Sequence, residues 1–309
     1  MIRLSGDQPV SAPSRGAVVA LGNFDGFHVG HQTVVGRAIE RARAEGRSAM
    51  VCTFDPHPAR LFKPDAPPFL LTTIPQRMDL FEAFGADAAL ALPFDRVMAA
   101  ESPEFFVQEW LHDRIGAAAI VTGGDFTFGK NRAGNTDALA RLAAGHGMSA
   151  ETVDAVEAEG AIASSTRVRQ HLKAGEMDAA ARLLTRPFAI QGVVQHGDKL
   201  GRTIGFPTAN LALGDYLRPA YGVYAVRGTL PGGRVVEGAA NLGIRPQFDP
   251  PKELLEPYFF DFAGDLYGET ITVELIARLR GEEKFDSLDA LTAQIAADCD
   301  EARRILAVA

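Results

Sequence analysis

The sequence is poor in the residues that mark disulfide-rich, metal-binding and membrane proteins. Its 309 residues include two cysteines, Cys52 and Cys299, which are too few and too far apart for a disulfide framework or a cysteine-based metal site. No apolar run reaches the ~18 residues that a membrane helix needs, and the first residues lack the apolar core of a secretory signal. We therefore expect a cytoplasmic protein that has no membrane partner.

The chain also lacks an excess of basic residues. Its net charge of −8 argues against nucleic acid as a partner, because contacts with phosphate backbones favour basic proteins. Hydrophobic residues make up 47% of the chain, which is enough for two cores. A length of 309 residues predicts two domains of about 150 residues each.

A dense group of polar and glycine residues connects the first predicted strand, 17–21, to a predicted helix, 32–45. A helix that follows a parallel strand presents free N–H groups to phosphates, and glycines let the backbone approach a ligand. Histidines there can donate hydrogen bonds to a phosphate in the transition state. Helix capping by the histidines is the plainer alternative, and a zinc site is excluded because His-x-x-His supplies only two ligands. The candidate site residues are Gly22, Asn23, Phe24, Asp25, His28 and His31.

Strand and helix patterns alternate along the first half, which predicts a parallel sheet covered by helices. Further strands are predicted at 48–54, 86–92 and 117–122, and further helices at 75–84 and 103–115. The glycine-rich segment 123–134 follows a strand, so we expect it at the same sheet edge as the first motif. Its candidates for holding a base or a phosphate are Asp125, Phe128 and Gly129, and a plain surface loop is the alternative.

A third segment begins a helix that is predicted to run to about Leu172. Ser164, Ser165 and Thr166 suit an N-cap. Arg167 lies in the first turn, where a cation opposes the helix dipole. We interpret Arg167 as a clamp for triphosphate oxygens beside free N–H groups.

The second half has a different pattern, in which strands alternate with glycine and proline turns. Strands are predicted at 188–195, 222–227, 234–242, 257–262 and 270–278, followed by an amphipathic helix at 287–306. Such a set predicts a small closed barrel. We place the domain boundary near Thr185, which gives domains 1–184 and 185–309.

The barrel segment carries its own motif, Gly-Phe-Pro-Thr-Ala-Asn at residues 205–210. Thr208 and Asn210 are two apart in an extended segment, so they point to the same side. A hydroxyl and an amide oxygen are hard ligands that suit magnesium, which keeps its other positions for water and phosphate. A polar turn between strands is the alternative.

The first three motifs resemble the adenylyltransferase module of bacterial FAD synthetases, within the nucleotidyltransferase superfamily. Segments 192–210, 219–226, 241–246 and 261–268 resemble the riboflavin kinase module. The resemblance implies an α/β fold: an N-terminal Rossmann-like nucleotidyltransferase domain, then a small antiparallel β-barrel with a terminal helix. It also implies that ATP and flavin contact a set of residues in the kinase module. These are Gly197, Gly201, Arg202, Gly205, Phe206 and Pro207.

One segment departs from the kinase pattern. Gln247 stands where the family usually has threonine, and Tyr258 replaces a histidine. The resemblance places the catalytic glutamate at Glu256, with Glu253 as the competitor if the register shifts. Pro257 predicts an edge or strand-start position, because proline cannot donate to a sheet ladder.

The resemblance implies two ATP-dependent reactions, both with magnesium. Glu256 would activate riboflavin to give FMN, and His28, His31 and Arg167 would stabilise AMP transfer from ATP to FMN, giving FAD. The partners are then riboflavin, FMN, FAD and ATP, and the sequence leaves the oligomeric state open. Two alternatives remain: a nucleotidyltransferase for another phosphorylated acceptor, and a flavin store without catalysis.

Overall fold

Short buried strands and amphipathic helices alternate in the first half of the chain. The computed structural model describes residues 1–6, 8–11, 14–197, 205–245 and 252–308. The chain divides into two units: a first unit, Met1–Pro67 with Ile74–Ser164, and a second unit, Pro68–Thr73 with Ser165–Ala309. The predicted boundary after residue 184 concerns the two catalytic modules, and it stays a prediction.

The first unit contains a six-stranded parallel sheet in the order β1-β4-β3-β2-β5-β6. Alternate residues of β2 enter different hydrophobic clusters on the two faces of the sheet. The strands are β1 (Ile2–Ser5), β2 (Val18–Leu21), β3 (Ala49–Asp55), β4 (Ala88–Pro93), β5 (Ala119–Gly123) and β6 (Ser149–Val153). The helices are α1 (Val29–Glu45), α2 (Pro58–Phe62), α3 (Ile74–Phe84), α4 (Pro103–Phe105) and α5 (Thr136–Gly145). A short hairpin, β7 (Glu157–Ala158) with β8 (Ala161–Ile162), follows.

The predicted helix 103–115 begins as expected but changes its winding. The Ser102 hydroxyl accepts a hydrogen bond from the Phe105 N–H and so caps the helix. From Phe106 to Ile115 the helix is a π-helix. The periodicity did not predict this change, because the buried residues of this segment recur at spacings that an α-helix also gives: Phe106, Val107, Trp110, Leu111 and Ile115. β1, α2, α5 and β6 were also missing from the prediction.

The second unit contains a closed barrel in the order β10-β13-β12-β11-β14-β9 with antiparallel pairing. The strands are β9 (Phe188–Gln195), β10 (Asn210–Ala212), β11 (Gly222–Thr229), β12 (Val235–Arg245), β13 (Lys252–Phe259) and β14 (Thr270–Arg280). The helices are α6 (Ser165–Ala174), α7 (Met177–Leu184) and α8 (Leu288–Leu306). The predicted fold class is confirmed for both units.

Hydrogen bonds hold α8 and the segment Pro68–Thr73 in place within the second unit. The Arg280 guanidinium donates to both carboxylate oxygens of Asp298 at 2.8–3.1 Å, which ties α8 to β14. The inserted segment Pro68–Thr73 is held by backbone bonds from Leu70 to Asp215 and from Leu217 to Leu70. Within the described part of the chain, every helix is too short or too polar to span a bilayer.

Candidate active sites of the two units

The first two motifs lie at neighbouring strand ends of the parallel sheet. β2 pairs with β3 on one side and with β5 on the other. The chain fills the sheet from β2 toward β4 and then returns to add β5 and β6, so β2 and β5 flank a switch point. Open α/β sheets bind ligands at the carboxyl ends of such strands. The expectation that both motifs share one sheet edge is confirmed.

The turn between β2 and α1 has an unusual backbone. Phe24 and Phe27 have φ of 49° and 46°, in the left-handed region that non-glycine residues seldom adopt. Both rings are buried and pack against Phe81, with centroids 5.9 Å and 5.2 Å away. Packing of the two rings therefore holds the turn in a conformation that its own residues do not favour.

A buried polar network lies beneath this turn. Arg77 of α3 donates to the Asp25 carboxylate at 3.2 Å, and both side chains are almost completely buried. Arg77 also donates to the Asn23 carbonyl and to the Thr53 hydroxyl, each at 2.9 Å. Asp25 was predicted to contact ATP or FMN, and that role stays a prediction; in the structure its carboxylate accepts a hydrogen bond from Arg77. Asp25 thus fixes the turn from below.

The two histidines meet at the N-terminus of α1. The imidazole centroids of His28 and His31 lie 3.6 Å apart with the rings stacked at 24°. His28 is the N-cap residue, yet its side chain makes no capping bond to the amides of the described helix, contrary to the capping alternative. Gly30 leaves room for this ring, since a Cβ there would lie 3.2 Å from His28 Cε1. The pair combines imidazole groups with the positive end of a helix.

The candidate residues of the loop after β5 differ in burial, with some at the surface and some in the core. Asp125 is exposed at the strand end, where the loop turns through a bond from the Phe126 N–H to the Gly123 carbonyl. Phe128 is buried against Phe106, with ring centroids 5.5 Å apart. Phe128 therefore supports the loop from the core, and Gly129 follows it with a φ of 71°.

The third motif falls at the division between the units. Ser164 ends the first unit, whereas Ser165, Thr166 and Arg167 form the first turn of α6 in the second unit. α6 buries Val168 and Leu172. The roles of these four residues toward ATP stay predictions.

In the second unit, three polar residues form a row across neighbouring strands. Glu256 of β13 pairs with Asn241 of β12. On its other side, Leu255 pairs with Leu211, and the Ala209 N–H donates to the Pro257 carbonyl, so Asn210 of β10 stands opposite Glu256. Directly opposed residues share a face and have Cβ atoms about 4.5–5.5 Å apart. Leu242 and Leu255 point into the barrel, so the row lies on its outer face.

Asn210 is buried, and its side-chain amide packs against Gly197. A Cβ at Gly197 would lie 2.6–2.8 Å from the Asn210 amide atoms, so only glycine fits there. Thr208 is half-buried. The amide and hydroxyl oxygens are donor types that suit magnesium.

The remaining kinase candidates have different surroundings. Gly205 and Pro207 are exposed, and the Phe206 ring packs edge-to-face on Tyr258 with centroids 5.4 Å apart. Tyr258 belongs to the hydrophobic cluster beneath α8. Gly201, Arg202 and Gln247 lie outside the described residues.

Glu253 and Glu256 are three residues apart on β13, so they face opposite sides. The Glu256 carboxylate contacts the guanidinium of Arg245 and is mostly buried. Glu253 accepts from Arg218 at 2.8 Å and from the Tyr221 hydroxyl. The hydrogen bond from Arg218 lowers the pKa of Glu253 below its ordinary value.

The expectation for Pro257 was wrong. It lies within β13 and pairs with Ala240, away from the strand start. The N and carbonyl of a strand residue point to the same side, and the Pro257 carbonyl accepts from Ala209. Its missing N–H therefore costs no bond to β12, and β13 begins at Lys252 instead of the predicted 257.

Three residues that contact or pair with predicted site residues were not predicted from the sequence: Arg77, Asn241 and Arg245. Asn241 and Arg245 lie in the segment 241–246 that carries part of the family resemblance, so a signal existed for them. Arg77 sits among apolar residues on the buried face of α3. The helical spacing of α3 places Arg77 on the buried face. A charged side chain on that face needs a partner of opposite charge, and this was the signal that could have indicated Asp25.

Comparison with known proteins connects both units to flavin chemistry. The family model for FAD synthetase matches residues 10–167, and that for riboflavin kinase matches residues 184–306. A bifunctional riboflavin kinase/FMN adenylyltransferase from Escherichia coli (strain K12) is 39% identical over 287 residues, covering 93% of this chain and 92% of the relative. The Pseudomonas fluorescens enzyme of the same name is 40% identical, covering 95% and 94%.

A solved structure has the same fold over the full length. A crystal structure from Streptococcus pneumoniae, described as a macrolide-efflux protein, is 32% identical with a TM-score of 0.85, covering 98% of this chain and 99% of that one. The curated relatives and the two family models agree on the chemistry. The chain belongs to the bifunctional riboflavin kinase/FMN adenylyltransferase family, which phosphorylates riboflavin to FMN and then adenylylates FMN to FAD.

Proposed function

We propose that residues 185–309 carry the kinase reaction and residues 1–184 carry the adenylyl transfer. The kinase assignment rests chiefly on one observation, the row of Asn210, Glu256 and Asn241 on the barrel. The adenylyl transfer is supported by the stacked histidines at the switch point of the parallel sheet. The two reactions then use separate sets of side chains.

In the kinase reaction, Glu256 acts as the general base. Its carboxylate takes the proton from the terminal ribityl hydroxyl of riboflavin as that oxygen attacks the γ-phosphorus of ATP. The bond to the bridging oxygen breaks, which releases ADP and leaves FMN. Positioning and neutralisation of charge supply most of the catalysis in such transfers.

Thr208 and Asn210 would hold magnesium, which neutralises the charge of the phosphates when bound. The buried Asn210 amide, packed against Gly197, fits this role because it supplies a neutral oxygen donor. No cluster of three His, Cys, Asp or Glu side chains suited to a metal exists among the described residues. Neutral oxygen donors are therefore the candidates in the second unit.

Glu256 is a better base than Glu253 because of their partners. Glu253 accepts from two donors, Arg218 and Tyr221, and these must be released before it can take a proton. Glu256 has one cationic partner and two neighbouring amides in its row. A base also has to lie within reach of the metal-held phosphates, and Asn210 is opposite Glu256.

In the adenylyl transfer, an FMN phosphate oxygen attacks the α-phosphorus of a second ATP, and pyrophosphate leaves. The nucleophile is already an anion, so no base is required. His28, His31 and Arg167 would donate hydrogen bonds to the phosphorus centre and the leaving group, with the α1 amides beside them. Asp125, Ser164, Ser165 and Thr166 are the further nucleotide contacts that we propose, and the cytoplasm is the proposed location.

A pair of isosteric variants on β13 tests the kinase assignment. Glu256→Gln is expected to lower FMN formation from riboflavin by about 10³-fold, since a general base contributes about 10²–10⁴. FAD formation from added FMN should be unchanged. Both are measured by chromatography of the flavins.

Glu253→Gln is the matched control, and it should keep FMN formation within about threefold while losing about 1–2 kcal/mol of stability. FMN formation that survives Glu256→Gln and disappears in Glu253→Gln would reverse the assignment of the base. A flavin store would make neither product and would bind riboflavin equally well without ATP.

A further inference from the structure

We infer that Arg245 is a positioning residue for the kinase, which holds one oxygen of Glu256 and presents the other to the substrate hydroxyl. The inference rests on the proposed role of Glu256 as the base. Its starting point is the contact between the Arg245 guanidinium and Glu256 Oε2. Among the described residues, no protein donor contacts the other oxygen, Oε1.

The direction of the Arg245 side chain supports this role. In the ladder between β12 and β13, Arg245 stands opposite Lys252, four residues from Asn241, which stands opposite Glu256. Residues 241, 243 and 245 share one face of β12. The Arg245 side chain therefore runs back along that face, away from its own cross-strand partner, to reach Glu256.

Gly243 keeps the route between Arg245 and Glu256 free of a β12 side chain. A Cβ at this position would collide with the Glu282 carboxylate and lie 3.2 Å from Asn241 Nδ2. Glu282 thus occupies the space above Gly243, without an ion pair to Arg245 within 4.0 Å among the described residues. Within the described part of the chain, the carboxylate that Arg245 contacts is that of the proposed base.

The ion pair between Arg245 and Glu256 is partly exposed, so a substrate can approach it. The Arg245 side chain is 31% exposed and the Glu256 side chain 15%. An ion pair in this setting is worth about 1 kcal/mol or less, so stability alone accounts for little of it. A fixed carboxylate, however, removes the rotation that would otherwise have to be lost in the transition state.

The test uses Arg245→Ala in the full chain, with separate assays of FMN formation and FAD formation. We expect kcat for riboflavin phosphorylation to fall about tenfold, with KM for riboflavin and ATP within twofold. Added guanidinium at sub-denaturing concentration should restore much of the loss, because the vacated site is partly exposed and matches this ion. FAD formation from added FMN, assayed separately on the same protein sample, is the reference activity.

Arg227→Ala is the matched control, since Arg227 forms an ion pair with Glu237 on the same barrel at 3.7 Å. It should leave FMN formation unchanged. Arg245→Lys should recover part of the activity, and guanidinium should have no effect on an Arg245→Ala/Glu256→Gln double variant.

Different results would overturn the role of Glu256 and the role of Arg245. Kinase activity retained by Glu256→Gln would overturn the proposed base. Activity lost in Glu256→Gln but unchanged in Arg245→Ala would overturn the role of Arg245 alone. A loss in Arg245→Ala that guanidinium does not restore, or a rise in KM instead of a fall in kcat, would also overturn it.

Discussion

The two candidate sites are assembled in contrasting ways. In the first unit, one continuous segment between β2 and α1 carries the strained phenylalanines and the stacked histidines. In the second unit, Asn210, Glu256 and Asn241 come from three strands and meet only through the register of the barrel. In the proposed functions, a local turn and a cross-strand row both place polar groups around phosphates.

The charged pairs differ in the same sense. Arg77 and Asp25 have side chains 1% and 2% exposed, and they lie below the turn that they fix. Arg245 and Glu256, and likewise Arg218 and Glu253, are only partly buried. Burial makes the first pair a structural support. The barrel pairs are partly exposed, and of these only Arg245 with Glu256 belongs to the proposed kinase site.

The largest effect should come from breaking the buried pair of the first unit. Arg77→Met removes the guanidinium that pairs with the buried Asp25 carboxylate, and breaking a buried pair by removing one partner costs about 3–5 kcal/mol. We expect FAD formation from FMN to be lost at a temperature about 10 °C lower than in the parent chain. FMN formation should keep its thermal profile, which residual activity after heating would measure.

Removing both charges sharpens this expectation. Asp25→Leu with Arg77→Met should recover part of the lost stability, because replacing a buried pair by apolar groups is often neutral. Recovery will be incomplete, since the Asn23 carbonyl and the Thr53 hydroxyl also lose Arg77. Equal thermal loss of the two activities in Arg77→Met would contradict a support confined to the first unit.

A smaller effect is expected from Gly197 in the second unit. Gly197→Ala would place a Cβ 2.6 Å from the Asn210 amide nitrogen, so the amide has to move. Overpacking of this kind costs about 1–3 kcal/mol, and kcat/KM for riboflavin phosphorylation should fall about tenfold or more. Raised magnesium should offset part of the loss if Asn210 is a ligand.

Gly192→Ala provides the control on the neighbouring strand position. Its Cβ would lie 3.4 Å from Leu211 Cδ2, which is an ordinary contact. Kinase activity should stay within twofold. A similar loss of kinase activity in both variants would mean that this part of the barrel is sensitive to any added side chain. The result for Gly197→Ala would then not support Asn210 as a ligand.

The contrast between the sites also explains what the sequence could predict. The turn after β2 could be predicted because its residues are contiguous in the sequence and their spacing indicates a strand followed by a helix. The position of Pro257 was misjudged because the side that its backbone faces depends on Ala209, in a distant segment. The contact between Asp25 and Arg77 was not predicted, because sequence alone does not show that Arg77 of α3 reaches this turn.

The smallest effect is expected at Tyr258, where the chain departs from the family pattern. Its ring packs edge-to-face on Phe206 and on Phe260, within the hydrophobic cluster beneath α8. This surrounding indicates that Tyr258 contributes its ring and not its hydroxyl. Tyr258→Phe should therefore change stability by less than about 0.5 kcal/mol and leave kcat for riboflavin phosphorylation within twofold.

Tyr258→Ala separates packing from chemistry at this position. It removes the aromatic contacts and should cost about 2–3 kcal/mol, less than a fully buried ring because Tyr258 is half-buried. Urea unfolding measures both variants, and flavin chromatography reports the kinase. A large fall in kcat for Tyr258→Phe without loss of stability would show that the hydroxyl acts on the substrate, which would add Tyr258 to the row of Asn210, Glu256 and Asn241.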